Sequence, residues 1–264
     1  MSYLFMDIKK LYRNKLVILA LAILLIVAII DPITMRQEYA QFGNPFMWWL
    51  FMNRGAGSMI YNALRWLFPV LLTGLVFFDE RKTAIYGILI TKKKRSTYFV
   101  SKVASVFLVT FVSLLCLFLL NLLLVYIACP STMAIAEYLI PKAETFAAYF
   151  FSKSPLCMAL FYNVLHASAM ALLAVLYLGI HMIMKPKYKY LAFILPPLLM
   201  YALNYVTEIA IGAEYSLSYI LQPVAASAGT TIVRGSNLIV VFTTLILIDI
   251  VCFFVGSGRN RDII

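Results

Sequence analysis

Six long apolar stretches alternate with polar links along this chain, and the basic residues concentrate in every second link. Hydrophobic residues make up 64% of the 264 residues and charged residues only 12%, with a mean hydropathy of +0.93. Soluble domains carry about 25% charged residues, and no water-soluble core has room for this much apolar surface. We therefore expect an all-α, polytopic membrane protein with six transmembrane helices.

The apolar stretches set the expected spans, and the short links leave no room for a separate soluble domain. We expect one transmembrane domain covering residues 1–264. Residues 1–15 are expected to form an amphipathic helix at the interface, because Ile8 and Leu11 share one helical face. Pro69 is expected to kink the second span. The expected spans are about 16–30, 58–78, 103–127, 156–184, 191–206 and 238–255.

The distribution of Lys and Arg predicts the side of the membrane on which each link lies. The links that we place inside (1–15, 79–102, 185–190 and 257–264) carry 16 Lys and Arg residues, whereas the links that we place outside carry 5. Short cytoplasmic links retain basic residues, so we expect a multi-pass protein of the plasma membrane with both termini in the cytoplasm. The same distribution explains the net charge of +11 without a nucleic-acid partner.

The first outer link, residues 31–56, is expected to begin at Asp31 and Pro32, directly after the first span. It contains an aromatic cluster that ends at Trp48 and Trp49. Aromatic side chains of this kind are typical of the membrane–water interface, and we expect the cluster to lie there.

In the link between the second and third spans, residues 79–98, acidic, apolar and basic residues follow one another in an order that the positive-inside rule alone does not require. An acidic pair precedes a short segment with apolar residues at helical spacing, and a basic cluster follows. Carboxylates at the start of a helix and cations after its end both suit the helix dipole, so we expect a short surface helix. A solvated, positively charged loop is the alternative. The residues that we expect to form a docking surface are Asp79, Glu80, Arg81, Ile85, Tyr86, Ile88, Leu89 and Arg95.

One pattern runs through residues 77–102 and consists of Phe77, Asp79, Glu80, Arg81, Leu89, Arg95, Tyr98 and Lys102. In this pattern, in its six spans and in its amphipathic N-terminal helix, the chain resembles the membrane subunit of type II ATP-binding cassette exporters. The resemblance in topology covers the whole chain.

The resemblance implies that the work is divided between several chains. Residues 79–95 would be a coupling helix that docks on a separate ATP-binding cassette ATPase subunit, and that subunit would hold ATP and Mg²⁺. This chain would bind no cofactor and catalyse no reaction. Two membrane subunits, identical or related, would pair in the lipid bilayer. Residues 207–237 would lie outside or re-enter the membrane, and an amphiphilic peptide, lipid or drug would move outward.

Polar side chains inside the spans are costly in lipid and are the candidates for a translocation path. Arg65 and Asp249 differ in expected height by about 10 Å, so a direct ion pair between them is not expected. Arg65 either reaches outward or lines the path, and Asp249 faces the protein interior or a partner subunit. Tyr and Asn side chains inside a span form hydrogen bonds between helices as readily as they line a path. The candidate path residues are Tyr61, Asn62, Arg65, Asn163 and Asp249.

No group of side chains predicts a metal site. His166 and His181 share a face of the fourth span but differ in height by about 22 Å, so they do not bind one metal ion. The cysteines lack metal-type spacing, and the sequence leaves open whether Cys129 and Cys157 form a disulfide.

Two other classes of function compete with the exporter subunit. The first is a membrane protein that assists assembly, or protects its own cell against membrane-active peptides, without transport of its own. An intramembrane enzyme is the second. It requires paired carboxylates or a Ser/His set at a common depth, whereas the acidic pair of this chain lies in a link.

Overall fold

The computed structural model describes residues 3–38, 45–52, 55–73, 75–81, 95–128, 140–223 and 231–259. These residues form helices and connecting turns, and no strand occurs among them. The α-helices are α1 (Tyr3–Tyr12), α2 (Lys15–Glu38), α3 (Ala56–Leu64), α4 (Leu67–Thr73), α5 (Val76–Arg81), α6 (Arg95–Ala128), α7 (Phe146–Phe151), α8 (Pro155–Ile183), α9 (Lys189–Ala210), α10 (Leu217–Ile220) and α11 (Gly235–Arg259). Short 3₁₀ segments cover Pro45–Trp48, Leu50–Met52, Pro186–Tyr188 and Ala213–Tyr215.

Five of the described helices, α2, α6, α8, α9 and α11, are long and apolar enough to cross a membrane. They correspond to the first, third, fourth, fifth and sixth expected spans, so the prediction of an all-α protein with several spanning helices is confirmed. Helix α8 forms the centre of the bundle, because 72% of its span is buried within the chain, against 11% for α11.

The second expected span, residues 58–78, is not one continuous helix. Helix α3 and the helices that follow it form a pair bent by 68°. The expected kink at Pro69 is wrong, because the helix breaks at Arg65 and Trp66 instead. Pro69 lies in the first turn of α4, where a backbone N–H has no partner within the helix, so its missing N–H costs nothing there. A second break follows α4, where Leu75 has a φ of 52°.

Helix α2 continues past Asp31 and Pro32, where the sequence predicts its end. Proline has no backbone N–H, so Pro32 leaves the carbonyl of Ala28 without its usual helical donor. The side-chain amide of Asn121 on α6 donates to this carbonyl at 2.9 Å. A neighbouring helix therefore supplies the missing hydrogen bond, and α2 extends to Glu38.

Asp31 is a fully buried residue of α2 rather than the first residue of an outer link. Its carboxylate accepts hydrogen bonds from the backbone N–H groups of Gly57 at 2.6 Å and Ser58 at 2.9 Å, and from the Ser58 hydroxyl at 2.8 Å. These backbone donors belong to the free N-terminus of α3, where the helix dipole also favours a negative charge. Gly55 permits this close approach, because a Cβ atom there would overlap an Asp31 oxygen.

Residues 45–52 fold into the helical core, so the expected position of the aromatic cluster at the interface is wrong for Trp49, which is fully buried. Its indole N–H donates to the Asn163 side-chain oxygen on α8 at 3.1 Å. The backbone N–H of Leu50 donates to the Asn121 side-chain oxygen at 3.1 Å. Irregular backbone is tolerated at membrane depth only where protein groups satisfy it, and these side chains do so.

The expected outer segment, residues 207–237, begins as the last turn of α9, and the chain then returns towards the bundle. Ile220 and Leu221 have no exposed surface, and the Leu221 carbonyl accepts a hydrogen bond from His166 on α8. After residues 224–230, which lie outside the described part of the chain, the Val233 carbonyl accepts a hydrogen bond from the first residue of α7 at 3.2 Å.

Replacing the carboxylate that caps α3 tests this part of the fold. Asp31→Ala leaves two buried backbone N–H groups without acceptors, and we expect the free energy of unfolding to fall by about 2 kcal/mol. The measurement is the midpoint of unfolding in mixed detergent and SDS micelles. Thr34→Ala, one turn along the same helix, is the matched control, because the Thr34 hydroxyl bonds only to carbonyls of its own helix. Equal midpoints for the two variants would show that Asp31 does not hold α3.

Candidate functional site

The structure describes four of the eight predicted docking residues, and these four flank the 82–94 segment. Asp79 and Glu80 lie in the last turn of α5, Arg81 ends that helix, and Arg95 begins α6. The other predicted docking residues lie outside the described part of the chain; they are Ile85, Tyr86, Ile88 and Leu89.

Glu80 is buried, with 3% of its surface exposed, and its carboxylate accepts from three different side chains. One oxygen accepts from the ammonium groups of Lys10 on α1 and Lys102 on α6, both at 2.7 Å. The other oxygen accepts from the Tyr98 hydroxyl at 2.6 Å. Three segments of the chain, α1, α5 and α6, therefore meet at one carboxylate.

Lys102 joins a second buried carboxylate to the same group. Its ammonium donates to Asp7 on α1 at 2.5 Å, while the other Asp7 oxygen accepts from the Ser101 hydroxyl at 2.9 Å. We call the set of Asp7, Lys10, Glu80, Tyr98 and Lys102 the ionic cluster. It contains two carboxylates and two ammonium groups, so the charges balance, and burial of ion pairs is tolerated when they are paired and hydrogen-bonded in this way.

Asp79 and Glu80 are adjacent in sequence but have different surroundings. The Asp79 side chain is 52% exposed and accepts one hydrogen bond, at 2.5 Å, from Lys189 at the start of α9. Glu80 points inward to the ionic cluster, and Asp79 points outward to the basic turn before α9. The acidic pair thus connects α5 to three other helices at one end of the bundle.

The ionic cluster joins the two chain ends that flank residues 82–94. Glu80 lies just before this segment, and Tyr98 and Lys102, which lie just after it, both donate hydrogen bonds to the Glu80 carboxylate. Both ends of the segment therefore start from one fixed point, at which α1 is also held by Asp7 and Lys10.

Two of the predicted path residues, Tyr61 and Asn163, lie in the closed core of the bundle. Both are fully buried, and Asn163 accepts from Trp49 as described above. His166 bonds through Nε2 to a backbone carbonyl, so Nε2 carries the proton, and Nδ1 then accepts from the Tyr61 hydroxyl at 3.4 Å. The Phe51 ring stacks on His166 at a centroid distance of 3.6 Å. This set of side chains packs the core and leaves both imidazole nitrogens occupied.

Arg65 and Asn62 lie on another side of the core. Arg65 is 6% exposed, and its guanidinium donates to the Ser218 hydroxyl at 2.7 Å and lies over the Trp66 ring at 4.5 Å. The same serine hydrogen-bonds to the Asn204 side-chain oxygen through its backbone N–H at 3.0 Å. Asn62 lies on α3 and is partly exposed.

Asp249, the fifth predicted path residue, lies on α11 and lines a groove that α11 forms with α6 and α8. It is 8% exposed, and neither carboxylate oxygen has a hydrogen-bond partner among the described residues. The groove is separated from the packed core that holds Tyr61 and Asn163. Within one copy of the chain, the five residues therefore do not line a single passage.

The described ranges contain no group of His, Cys, Asp and Glu side chains that could hold a metal ion. His181 is buried, and its Nε2 hydrogen-bonds to the Ala192 carbonyl at 3.1 Å. Both histidines of the chain are thus hydrogen-bonded packing residues. Cys157 is a free thiol, and Cys129 lies outside the described part of the chain.

The sequence analysis missed the contribution of α1 to this site, although a signal was present. Asp7 lies three residues after Leu4 and four before Leu11, so it shares the apolar face of the helix rather than the basic one. A carboxylate on an apolar face needs a buried cation as a partner, and Lys102 is that cation.

No protein family, curated protein or solved structure matches this chain. The assignment of function therefore depends on the residues and their geometry.

The two adjacent carboxylates provide an internal comparison. Glu80→Gln leaves Lys102 with one buried partner fewer, and we expect it to lower the free energy of unfolding by about 3 kcal/mol, as for other broken buried ion pairs. Asp79→Asn weakens only a partly exposed pair and should cost less than about 1 kcal/mol. Thermal unfolding of both variants in detergent micelles measures the difference. If Glu80→Gln unfolds no earlier than Asp79→Asn, the ionic cluster does not hold the three helices together.

Proposed function

We propose that this chain is the membrane subunit of a type II ATP-binding cassette exporter, and that residues 79–95 couple it to a separate ATPase subunit. The observation that carries the proposal is the ionic cluster, which connects both flanks of the 82–94 segment to α1, α5 and α6. A docking segment must transmit movement to the spans. A segment anchored at both ends on one rigid group of helices meets that requirement.

The contacts at this end of the bundle support the proposed topology. The links with the most Lys and Arg precede α2, α6 and α9, and the pairs Asp7–Lys102, Lys10–Glu80 and Asp79–Lys189 bring all three links together. The three Lys- and Arg-rich links therefore share one end of the bundle. Under the positive-inside rule, this supports a cytoplasmic location for that end and for both termini of a plasma-membrane protein. The bent pair formed by α3 with α4 and α5 then counts as the second of six spans.

Helix α1 fits an interfacial position beside these spans. Its Asp7 and Leu11 side chains are buried against the bundle, whereas Phe5 and Met6 are about half exposed. Apolar side chains left exposed next to Lys9 and Lys10 suit the boundary between acyl chains and anionic headgroups. A movement of the docking segment would reach α1 through Lys10 and Lys102.

The chain that follows α9 fits a re-entrant segment on the opposite side. Leu221 hydrogen-bonds to His166, which lies eleven residues into α8, so the segment reaches about 16 Å along that helix. The Arg65 guanidinium holds Ser218 of the same segment. Such a re-entrant segment requires neighbouring helices that shield its backbone from lipid.

We infer that a second membrane subunit, identical or related, completes the translocation path. The polar residues Tyr61 and Asn163 are enclosed by packed side chains, so one copy offers no continuous route between them and Asp249. Helix α11 contributes little to the core, which leaves most of its apolar surface to lipid or to the second subunit. In this arrangement ATP and Mg²⁺ are bound by the ATPase, and the chain itself moves an amphiphile outward without catalysing a reaction.

The proposal is tested by purifying the chain from its native membranes and identifying the ATPase that accompanies it. Ile88→Lys, in the centre of the docking segment, should abolish both the association and the ATP hydrolysis recovered with the chain. The chain should still insert and remain monodisperse. Ile211→Lys is the matched control, because Ile211 is exposed just after α9, at the other end of that helix from Lys189.

Normal ATPase recovery with Ile88→Lys would show that the segment is not the docking surface. Purification of the unaltered chain without any ATPase, combined with protection of cells by the chain alone, would instead favour a self-protection protein.

A further inference from the structure

The groove between α6, α8 and α11 has the size of a ligand site and a single polar residue in its wall. Its volume is about 580 Å³, within the range of ~300–1,000 Å³ that is usual for small-molecule sites. Val, Ala, Leu, Ile and Phe side chains form the wall around Asp249. Apolar walls with one well-placed polar group are typical of sites that bind amphiphiles.

Asp249 differs from the other buried carboxylates in having no donor within the described chain. Asp7, Asp31 and Glu80 each accept at least two hydrogen bonds, whereas both Asp249 oxygens have none, although the residue is 92% buried. An uncompensated carboxylate in an apolar site is strongly unfavourable. Intramembrane acidic residues of this kind occur where a ligand, an ion or a partner neutralises them.

Among the residues that the structure describes, no cation bonds to Asp249. With 3.6 residues per turn, Lys102 lies on the opposite side of α6 from the groove residues Val100 and Phe107, and it is held by the ionic cluster. Arg65 is bonded to Ser218 on another side of the core. In a second copy of the chain the same contacts hold Lys102 in the ionic cluster and Arg65 beside Ser218, away from the groove.

The surroundings of Asp249 select an organic cation over a metal ion. Hard metal ions require six or more oxygen ligands, and here one carboxylate is surrounded by hydrocarbon. Three phenylalanines line the groove, and aromatic faces attract ammonium groups. Ile250 and Phe254 at its edge are exposed on the outer surface of the bundle, at 45% and 66%, so a ligand enters sideways from the bilayer.

We propose that this groove binds an amphiphile with a cationic ammonium head group, for which Asp249 is the counter-ion. The proposal names the substrate class of the exporter and depends on the proposed function only for the movement of that substrate. Binding itself needs no ATPase, so it is measured on the chain alone in lipid nanodiscs.

The first experiment uses dicyclohexylcarbodiimide, an apolar reagent that modifies protonated carboxyl groups, with peptide mass spectrometry to locate the product. We expect modification at Asp249, slowed at least tenfold by dodecyltrimethylammonium and unchanged by the neutral dodecanol. A quaternary ammonium is chosen because it cannot react with the activated carboxyl group. Absence of modification, absence of protection, or equal protection by dodecanol would each overturn the proposal.

A second experiment compares Asp249→Asn with Glu208→Gln, an acid-to-amide change in another spanning helix. Asp249→Asn breaks no hydrogen bond of the described residues, so we expect it to fold normally. Dodecyltrimethylammonium should raise the unfolding midpoint of the unaltered chain and of Glu208→Gln by about 3 °C or more, and leave that of Asp249→Asn unchanged. Equal stabilisation of Asp249→Asn would show that Asp249 takes no part in binding. Loss of ATPase association with intact binding would overturn only the proposed function.

Discussion

A charge among the spans of a membrane protein persists only where another group compensates it, because lipid supplies neither water nor counter-ions. Lys102 meets this condition by bonding to Asp7 and Glu80, and the requirement has a structural result. The three side chains come from α6, α1 and α5, so the need to neutralise two carboxylates fixes the relative positions of three helices. Positive residues near the inner membrane surface are usually read only as a topology signal. In this chain two residues of the Lys- and Arg-rich links, Lys10 and Lys102, are also structural cations.

The same condition applies to the uncharged backbone. Pro32 removes one helical hydrogen bond from α2, and Asn121 of α6 restores it from the side while also binding the backbone of the 45–52 segment. Asp31, one residue earlier, supplies acceptors for the free donors of α3. Two neighbouring residues that look like the end of a helix therefore create the contacts of α2 with α3 and with Asn121 of α6. Their side-chain partners allow irregular chain to lie among the spans, where lipid alone would exclude it.

Five of the six expected spans correspond to observed helices because hydrophobic length is a local property that a single stretch of sequence reveals. The misplaced kink at Pro69 has a local reason, its position in the first turn of α4, whereas the other failures involve partners that are distant in sequence. Nothing near Asp31 shows that α3 needs a carboxylate, and nothing near Trp49 shows that Asn163 is available to its indole N–H, 114 residues away. The site was partly predictable for the same reason. Glu80 stood out through its local context, whereas Asp7, which shares Lys102 with it, lies on the apolar face of α1 and was not predicted to take part.

The contrast between Glu80 and Asp249 bears on how such a protein works. A carboxylate with three donors is fully compensated in the resting chain, so it holds helices together, and any change in its contacts is costly. The Asp249 carboxyl group has no donor among the described residues, so its energy differs between the empty groove and a groove occupied by a cation. Both residues act on α6, Glu80 through Lys102 on one side and Asp249 through the groove wall on the other. A cation that enters the groove and a movement of the 82–94 segment would therefore act on the same helix, which gives the proposed ligand a physical means of influencing the proposed docking segment.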